Sequence, residues 1–190
     1  MPLNKNKKIV ISGGPGSGKT TLIHLLKEKG YFCFEECSRE LINNAKKQGE
    51  PNLFKSKPIA FSEQIWLKRK EQFETKAPTS PLRTEGSFVF FDRGLHDVVA
   101  YLECNGIVYD AKKFDLSQFG YDLVLLLPPW KAIYTPDEER KENFEEAEKL
   151  YFYIKDIYQK SKIPLVEIPL QSPEERISTL LGYLEYGTSY

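Results

Sequence analysis

Hydrophobic residues along this chain form short apolar runs that alternate with longer segments of helical periodicity. The runs predict β-strands, because a parallel strand covered on both faces is apolar at successive positions. The predicted strands are Ile9–Ile11, Tyr31–Phe34, Ser87–Phe91, Leu123–Leu127 and Leu165–Ile168. We expect the second, third and fourth of them to be buried.

The segments between and after these runs predict α-helices. Gly30 suits the left-handed end of a helix, Ser38 suits a helix cap, and Pro173 suits a first helical position. The predicted helices cover residues 20–29, 38–47, 59–76, 95–104, a segment that ends near 161, and 173–187. Strands alternating with helices predict an α/β fold, with a mostly parallel sheet covered on both faces. Residues 107–120 give no clear pattern.

Length and composition favour one folded unit. A single domain over 1–190 is expected, because hydrophobic cores tend to split only beyond roughly 250 residues. Apolar residues make up 41% of the chain, which is enough for a packed core. The 27 basic and 27 acidic residues balance, so the chain lacks the overall basic field of a nucleic-acid binder. We therefore expect no nucleic-acid partner.

Several features predict a soluble cytoplasmic protein. No apolar run reaches the roughly 20 residues that span a bilayer. Residues 1–8 are basic but run directly into the first strand, which is not the arrangement of a signal peptide. Cys33, Cys37 and Cys104 are odd in number and lack the second pair that a zinc site needs. We expect them to be free thiols in a reducing compartment.

One motif carries most of the functional information. Residues 13–20 read GGPGSGKT, which matches G-x-x-x-x-G-K-[ST] between a predicted strand and a predicted helix. Its backbone N–H groups and the following helix dipole are suited to hold phosphate. The predicted nucleotide-binding residues are Gly14, Pro15, Gly16, Ser17, Gly18, Lys19, Thr20 and Thr21. A glycine-rich turn that binds nothing is the alternative, but the complete motif rarely follows an apolar strand by accident.

Lys19 and Thr20 have separate expected roles in this loop. Lys19 would reach the β- and γ-phosphates, and the Thr20 hydroxyl would complete part of a magnesium shell. The expected cofactors are ATP, with GTP also open, and Mg²⁺. The Asn-Lys-x-Asp element by which GTPases select guanine does not occur in the sequence.

Charged residues stand at the ends of the second and third predicted strands, where ligands of a parallel sheet gather. Asp92 follows an apolar run and is predicted to hold the water shell of the magnesium ion, with a helix cap as the alternative. Arg93 follows it, where hydrolytic ATPases usually carry a glutamate. A guanidinium cannot act as a general base, but it can grip phosphate or orient a carboxylate. Transfer to a bound acceptor is therefore favoured over hydrolysis, although Arg93 could instead only pair with Glu36 or Asp97.

The order of these motifs resembles a known group. The phosphate loop, Glu36-x-x-Arg39, Asp92-Arg93-Gly94-x-x-Asp97, and Leu-Leu-Pro-Pro-Trp at 126–130 before Asp-Glu-Glu-Arg at 137–140 look like the small NadR-like P-loop ATPases filed as an AAA-type domain. The group includes an animal protein named for a translocation defect of a photoreceptor channel. The resemblance implies a P-loop kinase-like core with strand order 2-3-1-4-5. NadR-type relatives phosphorylate ribosylnicotinamide, whereas the animal relative is described as GTP-binding.

A more distant resemblance is to deoxynucleoside kinases. It implies that Glu36 accepts the proton of the attacking hydroxyl and that Arg93 holds this carboxylate. Glu35 competes for the role of base, because an error of one residue at the strand end would exchange the two glutamates. In the remaining alternative both glutamates are solvated.

Other residues are weaker candidates. The segment 128–143 is predicted to be a lid, in which Arg140 would neutralise charge on the transferring group, with Lys131 or Lys141 as lesser choices. One or two aromatic side chains are expected to stack on a ligand ring. The four candidates are Trp66, Tyr101, Tyr109 and Trp130. Residues 170–173 are expected to cover the donor base.

The two histidines are assigned differently. We expect His24 to pack within the first helix, whereas His96, beside the Asp-Arg-Gly turn, is the better site candidate. Taken together, the residues predict a magnesium-dependent phosphotransferase that uses ATP and a small nucleoside-like or ribosyl acceptor. The alternative is a nucleotide-dependent switch that reads GTP or ATP with little turnover.

Overall fold

A five-stranded sheet forms the centre of the protein. The computed structural model describes residues 6–50, 53–77, 88–133 and 143–186. The strands are β1 (Lys7–Gly13), β2 (Phe32–Phe34), β3 (Phe88–Asp92), β4 (Leu123–Leu127) and β5 (Leu165–Glu167). Their order is β2-β3-β1-β4-β5 and every neighbouring pair is parallel. The predicted α/β fold and the kinase-like order are therefore confirmed.

Helices connect the strands and cover the sheet. They are α1 (Lys19–Glu28), α2 (Ser38–Lys47), α3 (Leu53–Ser56), α4 (Pro58–Glu74), α5 (Leu95–Cys104), α6 (Phe144–Lys160) and α7 (Pro173–Tyr186). Short 3₁₀ turns lie at Leu116–Gln118 and Lys131–Ile133. The observed bounds agree with the predicted ones to within a few residues, but α3 has no counterpart in the prediction because it is a single turn.

Two apolar cores lie on opposite faces of the sheet. Successive residues of β1 alternate between them: Val10 packs with α4, α5 and α6, whereas Ile9 and Ile11 pack with α1 and α7. This is the pattern of a parallel sheet buried on both faces, and it explains why the central strands are uniformly apolar. Within the described ranges, no helix combines the length and apolar character that a bilayer crossing requires.

Three local predictions need correction. The side chains of β2 are only half-buried, because β2 is an edge strand with one neighbour. Ser38 is the first residue of α2, and the N-cap position is occupied by Cys37; the Ser38 amide donates to Glu36 Oε1 at 3.2 Å. His24 is exposed on α1, so its predicted packing role is wrong.

Candidate functional site

The phosphate loop joins β1 to α1 in a shape that only glycine permits at two points. At Gly13 an added Cβ would lie 2.4 Å from the Leu127 carbonyl oxygen, so β4 can approach the loop only beside a glycine. Gly18 precedes α1 with φ of 90°, in the left-handed region. The loop therefore wraps tightly before the helix begins.

Lys19 is folded onto this loop. Its Nζ donates to the Gly14 carbonyl oxygen at 2.6 Å and contacts Ser17 Oγ at 3.2 Å, and Ser17 Oγ donates to the same carbonyl at 2.9 Å. The Lys19 side chain is buried, whereas Thr20 and Thr21 are exposed on the first turn of α1. The positive charge is thus held at the loop, where a phosphate would replace the carbonyl as its partner.

Asp92 ends β3 directly beside β1, paired in register with Ile11. It is buried, and its Oδ1 has no hydrogen-bond partner among the described residues. Burial and the neighbouring Glu36 raise the pKa of Asp92, while Lys19 and Arg93 oppose the rise. The alternative role as a helix cap is wrong, since Gly94 is the N-cap of α5 and Asp97 Oδ2 accepts from its amide at 3.0 Å.

The residues around Asp92 can be assessed as ligands of a metal ion. No group of three His, Cys, Asp or Glu side chains suited to a metal occurs in the part of the chain that is described. Magnesium bound with a nucleotide commonly uses one or two protein oxygens, phosphate oxygens and water, so a full protein cage is not required. An orphaned buried carboxylate oxygen near the hydroxyl-bearing start of α1 fits such an ion.

Four buried side chains form what we call the carboxylate–arginine cluster: Glu36, Arg69, Arg93 and Asp97. Glu36 Oε1 lies 3.0 Å from Arg69 Nη2, and Glu36 Oε2 lies 2.6 Å from Arg93 Nε. Arg93 Nη1 reaches Asp97 Oδ1 at 3.2 Å. Each carboxylate thus has at least one guanidinium, as buried charges require.

Asp97 is the most enclosed member of the cluster. It also accepts hydrogen bonds from Ser12 Oγ at 2.5 Å and from the Tyr158 hydroxyl at 2.7 Å. Burial alone would raise the pKa of Asp97, but Arg93, Arg69 and these hydrogen bonds outweigh it and hold the pKa below its usual value. Asp97 therefore stays ionised and anchors Arg93.

The two glutamates after β2 differ in their surroundings. Glu35 is exposed and pairs with Lys27, which lowers its pKa. Glu36 turns into the cluster, so the alternative in which both glutamates are solvated is wrong for Glu36. Its side chain retains 9% exposure, against 4% for Arg69 and 2% for Arg93. Glu36 is thus the least enclosed side chain of the cluster.

Arg93 occupies an unusual backbone position. Its φ is 74°, in the left-handed region that disfavours side-chain-bearing residues. Its Nη2 is buried with no hydrogen-bond partner among the described residues. The alternative of pairing with Glu36 or Asp97 is observed, and it leaves this third nitrogen available. Arg39, by contrast, is exposed on α2.

The aromatic candidates divide between core and site. Trp66 is buried, with its ring 5.3 and 5.6 Å from Phe114 and Phe119, so it is a core residue. Tyr109 donates to Glu103 at 2.9 Å, away from the cluster. Tyr101 is half-buried, with its ring centroid 5.5 Å from the Arg93 guanidinium carbon. Only Tyr101 among these three adjoins the charged site.

Trp130, the fourth aromatic candidate, lies on the other side of the phosphate loop. The Arg176 guanidinium carbon is 4.9 Å from its ring centroid. Arg176 Nη1 donates to the Ser17 carbonyl at 2.7 Å and Nε to the Pro169 carbonyl at 3.0 Å. Ile133 completes this face, since its Cδ1 would lie 3.7 Å from a Cβ added to Gly18. Residues from the segment after β4, from α7 and from the loop before α7 thus meet beside the phosphate loop.

His96 is close to the cluster but is enclosed. Its ring stacks on Tyr158 at 4.7 Å, and neither ring nitrogen has a hydrogen-bond partner among the described residues. Burial lowers the pKa of His96 to about 4, against a smaller opposing effect of Asp97. A neutral, buried imidazole is a packing residue here and not a site residue.

Some predictions fall elsewhere. Arg140 and Lys141 lie outside the described residues, as does most of the predicted lid at 128–143, while Lys131 is exposed. Sequence reasoning missed Arg69, Tyr158 and Arg176. For Arg69 a signal was present, because it stands four residues after Ile65 and three after Trp66, on the apolar face of its helix.

Comparisons with known proteins agree with this fold. Among solved structures, the chain is similar to a deoxyadenosine kinase from M. mycoides with bound dATP, with 19% identity, a TM-score of 0.65, and coverage of 93% of this chain and 98% of that chain. It is also similar to a thymidylate kinase from Candida albicans, with 20% identity, a TM-score of 0.59, and coverage of 96% and 92%. At these identities the likeness establishes the fold alone.

Of the two sequence comparisons, one finds a family and the other finds no match. None of the curated proteins matches this chain. A protein family described as an AAA domain matches residues 8–176, which is most of the chain and includes the phosphate loop, the carboxylate–arginine cluster and Arg176. The chain therefore belongs to this family of P-loop AAA-domain proteins.

Proposed function

We propose that this protein transfers a phosphoryl group from a magnesium-bound nucleoside triphosphate, with ATP as the expected donor, to a hydroxyl of a small nucleoside-like or ribosyl acceptor. The observation that carries the proposal is Glu36: a carboxylate held by two guanidiniums, beside Asp92 and Arg93, at the strand ends that adjoin the phosphate loop. Hydrolytic ATPases usually carry a glutamate at the end of β3 to activate water, whereas this position is Arg93, which cannot act as a general base.

The donor would bind across the phosphate loop. The loop amides and Lys19 would hold its phosphates, and its base would lie on the face formed by Trp130, Ile133 and Arg176. The exposed part of Ile133 and the half-buried indole offer an apolar surface for a planar ring. This assignment agrees with the expectation that residues near 170–173 cover the base.

Asp92 and Thr20 would hold the magnesium ion together with phosphate oxygens and water. When bound, the ion would supply positive charge that offsets the charge on the phosphates. For Asp92, a cation there also favours the ionised carboxylate against the burial that raises its pKa.

The acceptor hydroxyl would bind at Glu36. The carboxylate would accept the proton as the hydroxyl oxygen attacks the γ-phosphorus, the bond from that phosphorus to the β–γ bridging oxygen would break, and the nucleoside diphosphate would leave. Arg93 Nη2 would donate to the transferring group. Tyr101 and Phe54 form an aromatic wall beside Arg93, with their centroids 6.5 Å apart and edge to face. Such a wall suits a planar heterocycle, which supports a nucleoside-like acceptor. The two kinases of similar fold are named for a nucleoside and a nucleotide, which is consistent with an acceptor of this class.

The test is an acceptor screen. The purified protein is incubated with Mg²⁺ and ATP or GTP and with a panel of nucleosides that includes ribosylnicotinamide, and products are detected by mass spectrometry. We expect one class of acceptor to gain one phosphoryl group, and Glu36→Gln to abolish most of that gain while Glu35→Gln does not. No phosphorylated acceptor, together with only slow acceptor-independent hydrolysis, would contradict the proposal. Tight nucleotide retention without turnover would then support the nucleotide-dependent switch.

A further inference from the structure

Arg69 is a buried cation in the middle of α4. Its Nη2 lies 3.0 Å from Glu36 Oε1, and its Nη1 donates to the Gly94 carbonyl oxygen at 2.9 Å. We infer that Arg69 is a positioning residue, which fixes the Glu36 carboxylate relative to the Arg93–Gly94 turn so that the carboxylate meets the acceptor hydroxyl in one orientation. The inference rests on the proposed function.

Packing alone gives little reason for an arginine at this position. The residue lies on the same helix face as Ile65 and Trp66, which are buried in the apolar core. Taking a guanidinium out of water is energetically costly, and apolar replacements of buried ion pairs are often equally stable. Burial would lower the pKa of Arg69, but Glu36 in particular raises it, so the cation persists. The free-energy cost of burying the Arg69 cation is offset by its bonds to Glu36 and to the Gly94 carbonyl oxygen, both of which belong to the candidate site.

Arg69 joins two segments that are far apart in the chain. Glu36 follows the edge strand β2, which is only three residues long. The Arg93–Gly94 turn follows β3, and the backbone of Arg93 lies in the left-handed region. The guanidinium is a rigid planar fork, so its two bonds set the distance and the angle between these segments. Without it, Glu36 would lose its contact with one of the two guanidiniums that hold it, while the contacts to Arg93 and to the Ser38 amide would remain.

Two other contacts between α4 and the β2–α2 segment are of another kind. Gln72 Nε2 donates to the Glu35 carbonyl at 3.0 Å, and Lys68 pairs with Glu40 at 2.5 Å on the surface. These contacts hold the backbone of the connection and α2 near α4, but they do not touch the Glu36 carboxylate. Lys68 therefore serves as a matched control on the same helix, next to Arg69 in sequence and also paired with a glutamate.

A positioning role has a kinetic signature. Reacting groups displaced by about 1 Å can lose a factor of about 100 in rate. Removing Arg69 would leave donor binding untouched, because its two bonds reach neither the phosphate loop nor the Trp130 face. The loss should therefore fall on kcat, with the KM for the donor nucleotide retained.

The experiment compares Arg69→Met, Arg69→Lys and Lys68→Met in the full chain, with the acceptor found in the screen and with circular dichroism to verify folding. We expect Arg69→Met to lower kcat about 100-fold with a donor KM within about three-fold of wild type, and Lys68→Met to match wild type. Arg69→Lys should fall between them, since an ammonium keeps the charge but not the two-pronged geometry.

The outcomes separate the inference from the proposed function. An active wild type with an equally active Arg69→Met overturns the inference alone, as does a loss confined to the donor KM. Should Arg69→Met fail to fold, Arg69→Lys decides: wild-type kcat overturns the inference and reduced kcat supports it. A wild type that phosphorylates no acceptor overturns both, because a base without a substrate needs no positioning.

Discussion

The phosphate loop and the carboxylate–arginine cluster lie at the same edge of the sheet but are built in opposite ways. The loop is local: Lys19 and Ser17 bind the carbonyl of Gly14, five and three residues away in sequence. The cluster is long-range: the Ser12–Asp97 bond spans 85 residues, the Tyr158–Asp97 bond 61 and the Arg69–Glu36 pair 33. Changes in the loop should alter ligand binding with little effect on folding, whereas changes in the cluster should alter folding as well.

Asp97→Asn should give the largest effect on stability. It removes one carboxylate from a site with two guanidiniums and weakens the acceptor for Ser12 and Tyr158. Breaking a buried ion pair from one side typically costs about 3–5 kcal/mol. The free energy of unfolding, measured with urea, should fall by about that amount. The control is Asp156→Asn, which removes an exposed pair with Lys160 and should leave the free energy of unfolding close to that of wild type. Equal losses in the two variants would contradict the comparison.

His96 should make stability depend on pH next to the cluster. Its pKa is about 4 in the folded protein, below the ordinary histidine pKa of 6.5 that applies to the unfolded chain, so the unfolded chain binds the proton first as pH falls. Stability from this group is therefore present above pH 6.5 and is lost between pH 6.5 and about 4. At about 1.4 kcal/mol for each pH unit between these values, the loss approaches about 3 kcal/mol.

The variant that isolates this effect is His96→Phe, which keeps an aromatic ring against Tyr158 and does not titrate. Unfolding free energies of both proteins are measured from pH 7 to pH 4. Subtracting one from the other removes the contribution of the titrating groups that the two proteins share. We expect the difference to shift in favour of the variant as pH falls. A difference that stays constant over this range would show that His96 is not held neutral by burial.

Lys19→Ala should reverse the pattern expected of Asp97→Asn. The hydrogen bonds from Lys19 Nζ to Gly14 and Ser17 lie within its own loop, so the unfolding free energy without nucleotide should stay within about 0.5 kcal/mol of wild type. Nucleotide affinity or turnover should fall about 100-fold, because a positioned cation at the phosphates is lost. Titration with Mg-ATP measures the first and the acceptor assay the second. Lys29→Ala, an exposed lysine just after α1, is the control. An unaltered titration would count against the loop as the nucleotide site.

Trp130→Ala should have the smallest of these effects. It tests whether the nucleotide-binding region extends from the phosphate loop to the Trp130 face. Removing a stacking ring and its contact with Arg176 should weaken nucleotide binding about ten-fold, since such contacts are worth about 1 kcal/mol or somewhat more. Phe152→Ala removes an aromatic ring from the exposed surface of α6 and should leave binding unchanged. The same affinity for both variants would move the donor base away from the Trp130 face.

Much of the fold was predictable because its signals are local. Apolar runs, Gly30 and Pro173 stand within a few residues of the elements that they define, and the helix at Leu95–Cys104 and the strand at Leu123–Leu127 were obtained to the residue. The predicted burial of β2 was too high, because a run of apolar residues does not reveal whether its strand has one neighbour or two. The short helix α3 was missed for a related reason: four residues are too few for a helical period to appear.

Candidate residues were predictable to a lesser degree. Glu36, Asp92 and Arg93 were selected because they end strands, and these three come together beside the phosphate loop. Arg69 and Arg176 were not selected, because each reaches its partner from a helix whose position depends on packing. His24 was expected to pack and is exposed, whereas Trp66 was a candidate for stacking on a ligand and lies in the core. For both residues, the orientation of the helix in the fold decides whether the side chain is exposed or buried.

By itself the sequence determined the phosphate loop and the order of strands and helices around it, since both follow from contiguous residues and from the period of the apolar pattern. The tertiary structure decided between Glu35 and Glu36 and revealed Arg69 as a second arginine, beside Arg93, that holds the enclosed glutamate. A charge can be buried only where an opposite charge meets it, and for Glu36 those charges come from positions 33 residues or more away along the chain.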